Sequence, residues 1–341
     1  MGGLKRYSLI AMCFGCSVMV AAGVALLSPI HYKMTLAGNF GEFRPNHFHG
    51  GIDIKTEHME GKPIYSVAEG YIYKVSVGMN GFGKAVYVRH PNGLTSVYGH
   101  LRDFSPRIRA RVRRVQQQQH NDTCEVVFRP GQMPVAANQF IAFSGNTGAS
   151  QGPHLHLEIH RTKDDLLMDP LEYLRDCVAD HVAPRILAYK AYPVRGEGVF
   201  RGMMADSLFR TDSLTQLSAW GKVGFGIRAE DYMDSIPNRY GIRHTHFYVD
   251  GKLVFESDVN GIPIADHPQV NIWGDYFYFL QNRQWFMKTF IEPGNTLPIL
   301  KADANKGYVV FNQQRPYLLR FELSDIYGNT TTSQFTVVGK P

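Results

Sequence analysis

Cysteine is scarce in this chain, with four in 341 residues. Cys13 and Cys16 fall inside an N-terminal leader, so only Cys124 and Cys177 remain, and an exported chain permits either one disulfide between them or two free thiols. An internal repeat, a long low-complexity tract and a nucleic-acid-binding motif are all missing; "QQQQ" is too short to count. There is no H-E-x-x-H, which excludes the helical zinc site with a glutamate base. Neither sign of charge dominates. A formal net charge of +6 and a pI near 9.0 suit an anionic surface such as cell wall without selecting one.

The leader itself is informative. Lys5 and Arg6 precede an uncharged stretch from Tyr7 to about Ile30. Residues 1–30 thus read as a signal peptide, cut near the small residues around Ala21 to Ala25, or as an uncut membrane anchor. Cys16 after Gly15 leaves acylation open as a third fate. Each reading puts the rest outside the cytoplasm, in a periplasm or cell envelope.

Beyond it the pattern is mainly β. "PIYSVAEGYIYKVSV" and "KAVYVRHPNG" place Val, Ile and Tyr at period two between Gly, Asn and Pro, as antiparallel strands do. "SPRIRARVRRVQQQQ" breaks this rhythm. Ser105 as N-cap, Pro106 at the first helical position and Ile108, Val112 and Val115 at helical spacing predict one amphipathic helix with a solvated arginine face. "MDPLEYLRD" predicts a last short helix. After "DHVAPRI" come hairpin-like strands with Asp-Gly and Gly-Asn turns, as in a β-sandwich. Domains are expected at 31–179 and 180–341, the second Ig-like, with Trp273, Tyr276, Phe277, Tyr278 and Trp285 forming its core or an aromatic platform.

Candidate chemistry concentrates in two places. In "GPHLHLE", His154 and His156 share one strand face while Leu155 and Leu157 share the other. In "NHFHGGIDIK", His49, Gly51 and Asp53 share a face if extended, and Gly51 leaves room between the two donors for an ion or a substrate backbone. His49, Asp53 and one imidazole of the 154/156 pair make two nitrogens and one carboxylate oxygen. Three protein ligands with a fourth position open is how catalytic zinc is held.

The H-x-x-x-D of His49 and Asp53, the "VYGHL" with His100 and the "GPHLHLE" with His154 and His156 resemble the LytM/lysostaphin-type zinc endopeptidases, which cut peptide cross-links of bacterial cell walls. The resemblance spans about residues 36 to 175 and implies an antiparallel β peptidase domain holding one zinc ion. It further implies His49, Asp53 and His156 as ligands and His100 and His154 as catalytic histidines. Leu157 and Gly99 depart mildly from the pattern. The implied substrate is peptidoglycan peptide, cut at a direct D-alanyl cross-link or at a polyglycine bridge; with no region recognised as a separate wall-targeting module, the expectation is a D,D-endopeptidase, and the alternative is a non-catalytic LytM-like scaffold that activates another hydrolase.

Other polar residues carry weaker expectations. Arg44 would hold a substrate carboxylate or cap a buried acid, Asn46 lies beside it, and Tyr98, two residues before His100, would share its face and reach an oxyanion or pack in the core. His47 would line the groove. His58, His90 and His160 read as solvated, and the second H-x-H, His244 and His246, as structural. The C-terminal domain is expected to orient or regulate the enzyme, with a regulatory protein as its partner and no nucleic acid.

Overall fold

A computed structural model describes residues 25–211 and 216–341. Residues 1–24 of the expected leader, with Cys13 and Cys16, lie outside the described residues, whereas Leu26 and Ile30 near its end are buried in the core of the first sheet. Among the described residues no helix is long and apolar enough to cross a membrane. The architecture is mainly β, as the period-two patterning predicts.

The first sheet runs in the order Leu36–Gly38, Ile52–Lys55, His154–Arg161, Leu94–Gly99, Lys84–Arg89, Gly70–Val77 and Cys124–Val127. Every pair in it is antiparallel, including Pro134–Val135 on Gly70–Val77 and Leu166–Met168 on His154–Arg161. Alternation along His154–Arg161 sorts the two faces. Leu155, Leu157 and Ile159 are fully buried in a core with Ile52, Ile54 and Tyr98, each contributing roughly 1.5–3 kcal/mol by burial. The opposite face carries His154, His156, Glu158 and His160. That apolar set fixes the register, because a slip of one residue would turn every imidazole into the core.

Gly50 and Gly51 let the chain approach this strand closely. A Cβ on Gly51 would lie 2.2 Å from the Leu157 carbonyl oxygen, and one on Gly50 would lie 2.6 Å from a Glu158 carboxylate oxygen. The space beside Gly51 is therefore taken by the neighbouring strand's backbone, and not left for a substrate.

The helix forms over Pro106–Gln119 and buries Ile108 and Val112. Pro106 opens it, although the Ser105 side chain makes no cap hydrogen bond. Arg111, Arg113 and Arg114 are exposed. "MDPLEYLRD" forms two short 3-10 turns, Pro170–Glu172 and Arg175–Cys177, the first capped by Asp169 accepting from the Leu171 N–H. Cys124 and Cys177 are free thiols.

The C-terminal part builds an eleven-stranded sheet around the long Arg185–Phe200 and Leu217–Met233 strands. Asp250 and Gly251 join His244–Val249 to Lys252–Asp258 with φ of 50° and 81°, the left-handed pair that a tight hairpin turn requires. The two cores interlock. Met233 and Tyr240 pack into the first, while Phe40, Phe48 and Leu167 pack into the second. Trp273 is fully buried, with ring centroids 4.8 Å from Phe43 and 6.1 Å from Phe48, and Trp285 meets Phe43 edge-on at 5.6 Å. Of the aromatic group only Phe277 stands largely in solvent, 81% exposed.

Candidate metal centre

Strand pairing alone assembles most of the site. His156 lies opposite Asp53 on one side and Gly99 on the other, and His154 lies opposite Lys55. His100 follows the end of the Leu94–Gly99 strand in the left-handed region, φ 60°, anchored by its N–H donating to the Phe82 carbonyl at 2.8 Å. That turn breaks the period-two alternation and swings the His100 ring beside His154, with centroids 4.8 Å apart.

At the centre, Asp53 Oδ1 lies 3.0 Å from His49 Nε2, 2.9 Å from His156 Nδ1 and 3.3 Å from His154 Nε2, while His49 Nε2 and His156 Nδ1 are 3.2 Å apart. His49, Asp53 and His156 form one buried donor group, and His100, His154 and His156 form a second that shares His156.

The outer nitrogens settle what the inner ones present. His49 Nδ1–H donates to the Asn39 carbonyl at 2.6 Å, His100 Nδ1–H to the Thr147 carbonyl at 2.8 Å and His154 Nδ1–H to the Gly152 carbonyl at 2.8 Å. His156 Nε2–H donates to Glu158 Oε1 at 3.0 Å. Each neutral ring then has one nitrogen left, bearing a lone pair; those of His49, His154 and His156 turn toward the carboxylate of Asp53, and His100 joins the adjoining group with His154 and His156. Lone pairs facing a carboxylate repel unless a cation or a proton lies among them. The donor set fits a metal ion on that ground, with the outer bonds orienting the ligands.

Electrostatics follow the same division. Burial brings His49 and His100 down to about 4, holding both neutral at pH 7. Burial alone would also lower His156, but bonding to Asp53 and Glu158 outweighs it and raises the ring to about 9. Without a metal, His156 is where the balancing proton goes. Burial would raise Asp53, yet its imidazole neighbours, His49 first and then His154 and His156, hold it well below the usual carboxylate range.

Not every expected residue joins the site. Arg44 Nη2 donates to Asp53 Oδ2 at 2.9 Å and lies 3.4 Å from Glu42, so its charge is directed at a buried ligand. Asn46 sits in the turn between the Phe43–Arg44 and His47–Phe48 strands and exchanges hydrogen bonds with Asn271 at 3.2 and 2.8 Å. Tyr98 faces the core on the far side of the sheet, its hydroxyl accepting from the Val67 N–H at 2.8 Å and from Ser96. The parity that placed it beside His100 fails because His100 leaves the strand conformation. His47 is exposed, His58 is exposed in a turn, and His244 and His246 lie on a strand of the second sheet.

His90 and His160 are buried, contrary to the solvated reading. His90 bridges the Glu69 carbonyl and Ser96, and His160 Nε2–H donates to Glu158 Oε2 at 2.7 Å. Glu158, which sequence reasoning missed, thus accepts from both His156 and His160, and the two imidazoles hold its carboxyl at about 2 against the upward push of burial. The signal was the continuation of the H-x-H stripe by two further steps of two.

Residues 47–120, which include His49, Asp53 and His100, match the model of peptidase family M23. The chain carries a peptidase family M23 domain. The DD-carboxypeptidase/endopeptidase Mpg of Neisseria meningitidis is 36% identical over 111 residues, 32% of this chain and 19% of that protein. A lipoprotein NlpD/LppB homolog of Pseudomonas aeruginosa is 31% identical over 140 residues, 41% of this chain and 37% of that protein. The match to Mpg thus spans about a fifth of that relative's length. Among solved structures, the catalytic domain of lysostaphin from Staphylococcus simulans is 22% identical with a TM-score of 0.31, covering 42% of this chain and 92% of that one. Outside the matched residues lie Gly241, which bonds the Asn39 amide, and Trp273, which packs against Phe48.

Proposed function

We propose that the protein is a zinc-dependent endopeptidase of the cell envelope that hydrolyses peptide cross-links of peptidoglycan at the D-alanyl bond. One observation carries the reading: inner nitrogens of His49, His154 and His156 converge on one carboxylate oxygen of Asp53, with His100 beside them, while the outer N–H of each ring is committed to a carbonyl or to Glu158. His49, Asp53 and His156 would hold the ion, two nitrogens and one oxygen with a fourth position left for chemistry. A zinc ion there supplies Lewis acidity, polarising a carbonyl and bringing the pKa of water to about 7.

The chain's own groups do the rest. His154 and His100 are fixed through Nδ1, so each acts through Nε2, where a proton is taken up or returned to the leaving amine. His154 lies on the open side of the site, with its side chain 16% exposed against 7% for His156. Arg44 neutralises the second oxygen of Asp53 and fixes which oxygen faces the histidines.

Likeness to a relative named DD-carboxypeptidase/endopeptidase favours the D-alanyl bond over a polyglycine bridge. Likeness to an NlpD/LppB homolog supports the second reading, a scaffold that activates another hydrolase, and an envelope location. The complete donor set favours the enzyme. The net charge of +6 would prolong contact with anionic wall, an effect that salt weakens.

Metal analysis of the purified full chain should find one zinc, and Asp53→Ala should lose it while staying folded; full occupancy in that variant removes the ligand assignment. Cross-linked muropeptide dimers, followed by mass spectrometry beside a pentaglycine peptide, should be converted to monomers with pentaglycine intact. The reverse pattern overturns the bond and leaves the zinc site standing. Zinc-loaded protein that cuts no wall preparation would overturn the enzyme and favour the scaffold instead.

A further inference from the structure

A second group of ligand-type side chains lies apart from the M23 site. Asp180 comes from the connector between the two sheets, Asp231 from the Leu217–Met233 strand and Asp325 from the turn joining Pro316–Ser324 to Thr330–Gly339. One carboxylate oxygen of each lies within 4.8 Å of the others. Their exposures are 5%, 2% and 4%.

The hydrogen-bond account of these carboxylates does not close. Asp325 Oδ1 accepts from the N–H groups of Tyr327 and Asn329, and its Oδ2 accepts from the Asn329 amide. Asp180 Oδ1 accepts from the Val182 N–H. Asp180 Oδ2 and Asp231 Oδ1 are buried with no hydrogen-bond partner. Among the described residues no lysine or arginine pairs with any of the three. Arg243, which lines the same cavity, is turned to Asp169, Glu172 and Asp258. The charged neighbours of Asp231 are Asp180 and Asp325, both of its own sign. Buried carboxylates without a counter-charge are among the costliest groups a fold can hold.

We propose that Asp180, Asp231 and Asp325 bind a divalent cation of the calcium type. All three donors are hard oxygens, which suit calcium, magnesium or manganese and not the softer metals. The cavity they line measures about 10 Å³, about one water-sized space. Magnesium gives up its waters reluctantly and needs room for several, whereas calcium takes carboxylates directly. The bound ion would fasten the connector to a central strand and a turn of the second sheet. Asn39 lines the same cavity, and its carbonyl holds His49. The site is independent of the peptidase reading, since none of its ligands belongs to the catalytic centre.

Neutralisation by protons is the competing account. Burial pushes Asp231 up to about 8 and Asp180 up to about 6, so a cation-free fold would gain stability as pH falls through that range. The test uses the full chain, stripped with chelator and reloaded with one equivalent of zinc, then titrated with calcium chloride or magnesium chloride. Calorimetry should count one calcium per chain. The unfolding midpoint should rise by several degrees and keep rising with calcium concentration, as ligand linkage requires, with a distinctly smaller rise in magnesium. Asp231→Asn should lose both the calcium and the shift with its zinc content unchanged. Asp180→Asn, on the connector and outside both sheets, gives the same reading if Asp231→Asn does not fold. A wild-type chain that takes up no calcium, and is stabilised only by lowering the pH from 8 to 6, overturns the proposal. Calcium uptake that survives both substitutions, or an equal response to magnesium, overturns it too.

Discussion

His154→Ala is expected to keep its zinc and lose hydrolysis by about two to four orders of magnitude, the usual worth of a positioned proton-transfer group. His156→Ala should lose both. The distinction comes from surroundings, because the two rings are one step apart on the same strand face. His156 is 6% exposed and its Nε2–H is committed to Glu158, so its remaining nitrogen is pressed among Asp53 and His49. The inner nitrogen of His154 lies farther from Asp53, at 3.3 Å, and on the side open to solvent. Zinc content and hydrolysis rate on the same preparations decide it. Equal loss of zinc in the two variants would mean that the overlapping group of His100, His154 and His156 holds the ion, which makes His154 a ligand and overturns its proton-transfer role.

Much of the site was legible in the sequence because it is built from strand parity, and parity is local. His49, Asp53, His154 and His156 fall on matching faces as soon as their segments are extended, and the leucines between the histidines fix which face is the core. The same rule read two residues further would have exposed Glu158 and His160. It failed at Tyr98, where the left-handed turn at His100 resets the alternation. Arg44 was half legible: capping a buried acid was one of its two expected roles, but no spacing reveals that the acid is Asp53. Least legible were contacts between distant segments. Asn39 and Gly241 exchange two hydrogen bonds, and the three aspartates gather from a connector, a strand and a turn; no local pattern announces either.

Those distant contacts bear on an expectation about the C-terminal part. It supplies none of the five groups of the M23 site, so a chain ending near Cys177 would be expected from sequence to retain some hydrolysis. The structure points the other way. Tyr240 Oη–H donates to the Leu36 carbonyl at 2.9 Å and the Asn238 amide to the Ala37 carbonyl at 3.1 Å, which fastens the edge of the first sheet. Gly241 holds both ends of the Asn39 amide at 3.0 and 2.8 Å, and Asn39 in turn accepts the His49 Nδ1–H. The short hairpin that carries Arg44 lies against Trp273 and Trp285 through Phe43 and Phe48. Truncation would expose Phe40 and Phe48, each costing roughly 1.5–3 kcal/mol, a large share of a typical total stability of about 5–15 kcal/mol. It would also free the group that orients His49, and loss of such an orienting partner typically weakens metal binding by about 10–100-fold. The truncated chain is therefore expected to bind zinc at least tenfold more weakly and to lose most hydrolysis, and Asn39→Ala in the full chain, which keeps the backbone carbonyl that holds His49 but cuts its side-chain tie to Gly241, should weaken metal binding by less. A folded truncation with wild-type zinc affinity and rate would show that the C-terminal sheet is not needed to hold the ligands.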